Sequence, residues 1–240
     1  MSTTRAVSIR REIPLAFLAA IAFGMLVALL PGAINAQGAT PSPSSCEDVM
    51  PSTSTPMAGH GAMGASTPEG HEMGEMEMGG MGEFDLAYID MMIPHHQSII
   101  AMAQVATPEL SDPRLIEMAV AIIATQAEEI DELMSFWDEW YPNTEPVSMD
   151  QMMMALPSMA SSSMSMESMQ QLMSPEALVT VFCAAEDKEL AFIELTISHH
   201  QMAIDASEDA LELAVNPELV AVAEEVIEAQ QSEIDLLMEI

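Results

Sequence analysis

Positive charge is nearly missing from this chain. Five Lys and Arg stand against 38 Asp and Glu, a formal net charge of −33. A surface of that sign repels phosphate backbones and anionic lipid, so nucleic-acid binding and docking on a membrane surface are excluded and cations are the favoured partners. Aromatic residues are scarce too: six Phe, two Trp and two Tyr. The short motifs of common enzymes are also absent. There is no Cys-x-x-Cys, no His-Glu-x-x-His, no G-x-S-x-G and no phosphate-cradling glycine loop. No Glu-x-x-His pair occurs at i,i+3, so the di-iron carboxylate site of many helical bundles lacks its signature. No side chain reads as a nucleophile activated by a base. A binding role without turnover is therefore expected.

What the chain does have is methionine. It holds 25, and 50% of its residues are apolar, which separates it from a disordered acidic tail. Methionine fills irregular gaps in a core, and its thioether is also a soft metal ligand.

Residues 1–36 read as an export signal. Arg5, Arg10 and Arg11 form a basic start, Ile13 to Leu30 an apolar run, and small residues lead to Ala36. Cleavage before Gln37 is expected, which would leave Arg114 and Lys188 as the remaining bases. The apolar run of about 18 residues also keeps an uncleaved anchor open. The compartment implied is the periplasm, the cell envelope or the exterior. There Cys46 and Cys183 either form one disulfide or stand as two separate thiols.

Residues 37–83 are Ser, Thr, Pro, Gly, Met, His and Glu with almost no aliphatics, and predict a disordered arm. A second Pro/Ser/Met-rich stretch, 142–174, predicts a linker with a helical turn around Met149–Leu156. Helical patterning fills 84–141 and 175–240, and these two segments repeat one another. Setting residue n against n + 104 pairs Asp85–Met134 with Glu189–Met238 without a gap, with 19 identities in 50 positions. The shared residues include His95-His96-Gln97 and His199-His200-Gln201. They also include Pro113 and Pro217, and Gln126-x-x-Glu129 and Gln230-x-x-Glu233.

Each copy reads as a helical hairpin. Asp112-Pro113 and Asn216-Pro217 supply an N-cap and a first-turn proline for its second helix. One hairpin is too small to bury a stable core alone, so two are expected to pack as an all-α four-helix bundle.

The His-His-Gln triplets are the leading site candidates. Adjacent helical residues point about 100° apart, so one histidine of each pair is expected to face the bundle and the other a flank. Met91 and Met92 lie one turn before His95 and His96, and Met102 extends the first stripe. Thioether with imidazole suits copper, Cu(I) in particular, although Cu(II) is also compatible with imidazole. The plain alternative is a core histidine bonded to Gln126 or Glu129. In the second copy Leu195, Thr196 and Ala206 replace the three methionines, and Met202 appears nearby. Gln126, Glu129, Gln230 and Glu233 are candidates for fixing the histidine tautomers, or else form a solvated edge. In the arm, His60, His71, Met73, Met76 and Met78 are candidates for auxiliary capture of a soft cation. The linker methionines share that reading.

Met92-Ile93-Pro94-His95-His96-Gln97 followed by Ala101-Met102-Ala103, then Asp112-Pro113-x-Leu115, Ile123-x-x-Gln126-x-x-Glu129-Ile130 and Trp137-x-x-Trp140-Tyr141, resembles the DUF305 family (domain of unknown function 305). The resemblance implies a ferritin-like helical fold in two tandem copies, export, and copper as cargo, since the family includes CopM-type copper-binding proteins. It carries metal ligation to His95, His96 and Met92 directly. To His199 and His200 it carries with a different set of neighbours. Exchange with envelope copper-handling proteins would follow; the oligomeric state does not. Two rivals remain. One is an acidic, halophile-type helical protein whose charge only maintains solvation. The other is a ferritin-like metal oxidase with an irregular His/Glu site.

Overall fold

The structure, a computed structural model, describes residues 45–49 and 83–240. The expected export signal and the arm residues His60, His71, Met73, Met76 and Met78 lie outside the described residues. In chain order the helices are α1 (Cys46–Val49), α2 (Glu83–Ala106), α3 (Pro113–Trp140), α4 (Met149–Ala155), α5 (Pro157–Ser161), α6 (Met166–Leu172), α7 (Pro175–Ala184), α8 (Lys188–Leu213) and α9 (Pro217–Leu237). Among the described residues there is no strand, and no helix is long and apolar enough to cross a membrane.

The long helices form two hairpins, α2–α3 and α8–α9, joined along α2 and α8. Their second helices start where the sequence predicts. Asp112 caps α3 by accepting from the Arg114 backbone N–H at 2.9 Å, and Pro113 occupies the first turn. Asn216 behaves differently. Its side chain does not cap α9 but donates to Asp85 on α2. Inside the hairpins, Leu115, Ala119, Ile122 and Leu133 of α3 and Leu219, Ala223, Val226 and Leu237 of α9 are buried at the helical spacing read from the sequence.

The hairpins also hold each other by equivalent side chains. Asp85, near the start of α2, accepts from Val215 N (3.0 Å), Asn216 N (3.0 Å) and Asn216 Nδ2 (2.7 Å) in the turn that opens α9. Glu189, near the start of α8, accepts from Ser111 N (3.1 Å), Ser111 Oγ (2.7 Å) and Asp112 N (2.8 Å) in the turn that opens α3. Each carboxylate thus satisfies backbone donors that a helix start leaves without partners. Residues 85 and 189, 111 and 215, and 112 and 216 share the 104-residue offset, so the contact is reciprocal.

Two parts of the chain depart from expectation. The stretch read as a linker folds into α4, α5 and α6, because Met152, Leu156, Met159, Met169 and Leu172 bury against the bundle. Ser148 and Gln151 form a capping box that starts α4. Met152, Met159 and Met169, read as lying on a flexible linker, are therefore nearly buried against the bundle. The second segment is also more than a hairpin, because α7 is a separate helix packed on α2. Lys188, one of the few bases, donates from Nζ to the carbonyls of Cys183 (2.7 Å) and Ala185 (2.7 Å) at the end of α7.

Cys46 and Cys183 form a disulfide that ties α1 to α7. α1 has four residues, too few to dock by their own contacts, so most of the benefit of the bond goes into holding α1. Reduction is expected to lower global stability by only about 1 kcal/mol, the low end for a disulfide, while releasing α1. Urea midpoints with and without reductant measure this; a loss of several kcal/mol would show that α1 supports the core.

Candidate metal centre

α2 presents His95 and His96, and α8 presents His199 and His200, where the two hairpins meet. All four side chains are fully buried, at 0% exposure. The histidine of each pair expected to face a flank is thus as fully covered as its neighbour. The helical 100° step holds, but both directions are covered: His95 faces α8, and His96 faces α3.

The central feature is a stack. The His95 and His199 rings lie 3.5 Å apart between centroids, 25° from parallel. Each ring also neighbours its own sequence partner, with centroids 6.0 Å apart for His95–His96 and 6.1 Å for His199–His200. His199 Nε2 lies 2.8 Å from the His95 carbonyl and 3.0 Å from Ser98 Oγ. A carbonyl only accepts, so that nitrogen carries the proton and His199 Nδ1 is left with a bare lone pair.

The flanking histidines meet carboxylates. His200 Nε2 donates to Glu233 Oε2 at 2.6 Å. His96 Nε2 lies 2.7 Å from Glu129 Oε2, close enough to pair but off the hydrogen-bond axis. A carboxylate beside Nε2 fixes the proton there and leaves Nδ1 as the donor atom for a metal. The Nδ1 atoms of His95, His96, His199 and His200 are all buried without a hydrogen-bond partner, as is His95 Nε2. Gln126 and Gln230, one turn before the glutamates, are 2% exposed, and both amide atoms of each lack a partner.

Burial is the largest cause holding the His95 and His199 imidazoles well below their ordinary pKa. For His95 the next cause is the nearby charge of His96 and His200; for His199 it is His95 and His200. Both rings are therefore neutral at neutral pH, and no proton competes for their lone pairs.

Met91, Met92 and Met102 on α2 are fully buried, and Met202 on α8 is 8% exposed. Among the described residues no three His, Cys, Asp or Glu side chains converge on one point in metal-binding geometry. Stacked rings point their nitrogens sideways, so His95 and His199 do not address one ion between them. α2 continues as one helix through Pro94, without the break a mid-helix proline permits.

Four residues of the neighbourhood are not apparent in the sequence. Ser98 reaches the carbonyls of His95 and Leu172 as well as His199. Tyr88 and Ser207 share a buried 2.8 Å hydrogen bond between α2 and α8, and burial raises the Tyr88 pKa strongly. Asp90 accepts from Trp137 Nε1 (2.9 Å) and Val147 N (2.8 Å), closing the far end of the first hairpin. The 88/192 and 98/202 positions differ between the repeats, so the repeat gave no warning of them. The only available signal was polar residues on an otherwise apolar helix.

Residues 85–240 match the model of a family described as a domain of unknown function, DUF305. An uncharacterized protein, L153 of Acanthamoeba polyphaga mimivirus, is 40% identical over 55 residues, which cover 23% of this chain and 36% of that protein. The chain thus spans little more than a third of that relative. A solved structure of CopM in its Cu(I)-bound form is 28% identical, covers 65% of this chain and 93% of that one, and has a TM-score of 0.49. CopM in its Cu(II)-bound form is 26% identical, covers 65% and 94%, and has a TM-score of 0.49.

Proposed function

The chain belongs to the DUF305 family, and we propose that within it this protein is an exported copper-binding protein that sequesters or delivers Cu(I) without turnover. The observation that carries the reading is a buried pair of adjacent histidines with unpartnered Nδ1 atoms, present on both α2 and α8. Buried polar atoms normally find partners, and their absence here is costly unless a ligand supplies the contact. A centroid distance of 6.0 Å within the His95–His96 pair has room for one ion bonded at about 2 Å to a nitrogen of each ring. Cu(I) accepts two donors, which agrees with a centre where no three His, Cys, Asp or Glu among the described residues converge. Glu129 and Glu233 would fix the tautomers, and the buried methionines would supply a soft, dry surrounding.

The 104-residue offset shared by the histidines, their glutamates and the reciprocal caps supports two tandem copies of a ferritin-like hairpin, each with its own pair. The export signal expected over residues 1–36 and the Cys46–Cys183 bond support an oxidising compartment, where handover to envelope copper-handling proteins would occur.

The test is titration of metal-free protein with Cu(I) against a chromophoric chelator. Replacing His95, His96, His199 and His200 with Ala is expected to remove high-affinity uptake. The milder Glu129→Gln/Glu233→Gln variant, which keeps the fold, is expected to weaken it by roughly 10- to 100-fold. Unchanged affinity in both would overturn the reading, and oxygen consumption on metal addition would favour an oxidase instead.

A further inference from the structure

A second group of soft donors lines a pocket between α8 and the short helices α5 and α6, which borders Ser198 and Gln201 on either side of His199-His200 but not the histidines themselves. Met159, Met164, Met169 and Met202 line an open pocket of about 290 Å3, with Gln201 and Asp205 also on its wall. Three of the four methionines are nearly buried, at 3%, 3% and 8% exposure, yet they border space rather than close-packed neighbours. Side chains that serve only as core filler would close such a gap, because methionine has three rotatable bonds with which to do so.

The polar groups of the pocket are arranged for a cation. Gln201 Nε2 donates to Asp205 Oδ1 at 2.7 Å, which holds the carboxylate in place at the exposed edge. Ser158 also lines the pocket, and its backbone N–H is anchored at 2.7 Å to Asp209 Oδ2, which fixes α5 against α8. Its Oγ is buried and has no hydrogen-bond partner. No basic side chain is among the lining residues.

We propose that this pocket is a thioether site for a soft monovalent cation, Cu(I) or Ag(I), separate from the histidine pairs. Met159, Met164, Met169 and Met202 hold the ion, and Asp205 balances its charge. Thioether sulfur is neutral and polarizable, so it selects soft monovalent ions over zinc, calcium or magnesium, which a carboxylate surface alone would accept. Unlike imidazole, it takes up no proton as the pH falls, so the pocket keeps its ion under acidic conditions that weaken a histidine site. Its place is that of an outer station: the pocket is open to solvent while the histidines are sealed.

The inference rests on the soft-metal reading above, but it is tested separately. Full-chain protein labelled at the methionine methyl carbons is titrated with Ag(I), a redox-inert stand-in for Cu(I), and followed by NMR. The Met159, Met164, Met169 and Met202 methyl signals are expected to shift together and saturate with one equivalent, and not to move with Zn(II). In the Met159→Leu/Met169→Leu variant, which preserves apolar volume, the shifts of Met164 and Met202 are expected to be lost. Unmoved signals in the wild type, or shifts of Met164 and Met202 that persist in the variant, would overturn the site. Imidazole nitrogen signals, read in the same titration, report the histidine pairs, so either site can fail alone.

Discussion

Lowering the pH below 6.5 is expected to destabilise the metal-free protein by roughly 3 kcal/mol per pH unit, from two histidines alone. His95 and His199 are buried and held neutral, each with its pKa well below the ordinary value of 6.5. In the unfolded chain both rings titrate near 6.5. Below that pH the unfolded state therefore binds protons that the folded state does not. Stability rises with pH wherever the unfolded state binds more protons. The contribution of this pair is complete above 6.5 and is lost as the pH falls toward the depressed folded-state values. Above pH 5 most carboxylates stay ionised, so relief of the −33 charge does not mask the loss. Urea unfolding of copper-free protein at half-unit steps from pH 7.5 to 5 measures the slope. A flat profile would mean that the rings become protonated in place. If Cu(I) binds the Nδ1 atoms as proposed, saturating it is expected to delay the loss, since a ligand of the folded state stabilises that state.

The sequence makes the hairpins legible because local and long-range signals agree there. Asp112-Pro113 marks a helix start by its own chemistry, and the 104-residue offset places Pro217 in the same first-turn position, although Asn216 turns its side chain to Asp85 instead of capping α9. The histidine pairs stand out because His95-His96-Gln97 recurs as His199-His200-Gln201 at the 104-residue offset on largely apolar helices. Their orientation is not legible, since helical periodicity gives directions but not what fills them. His96 and His200 are covered because α3 and α9 lie across the second direction, which only the packed structure supplies. The stretch containing α4 to α6 reads as a linker because its Ser and Pro content outweighs its methionines in any local view. Met152, Met159 and Met169 become buried only because the bundle is beside them, while Met154 and Met166 stay exposed. Asp85 and Glu189 look like ordinary first-turn acids, and their donors lie across the hairpin interface.

That cross-hairpin contact supports the other large effect. Asp85→Ala is expected to cost about 3 kcal/mol, because it leaves Val215 N and Asn216 N without their charged acceptor and removes the partner of Asn216 Nδ2. Asp85 is fully buried. Its counterpart Glu189 is only half-buried, with its carboxyl held below the ordinary range first by the Ser111 hydroxyl and then by the Asp112 and Ser111 backbone N–H groups. Water replaces those bonds readily, so Glu189→Ala is expected to cost clearly less, although the two contacts are equivalent in the repeat. The comparison separates burial from hydrogen-bond number, since each carboxylate accepts three bonds. Equal losses from the two variants would show that the cap geometry matters and burial does not. The α2–α8 pairing also holds His95 against His199, so loosening it at Asp85 should reach the histidine pairs. If Cu(I) binds the folded hairpins and not the unfolded chain, adding it at about 100 times its dissociation constant should restore roughly 3 kcal/mol to Asp85→Ala. That would return its urea midpoint close to that of the metal-free wild type. Restoration in Asp85→Ala but not in a variant also lacking the four histidines would tie the stability of the fold to occupancy of the centre.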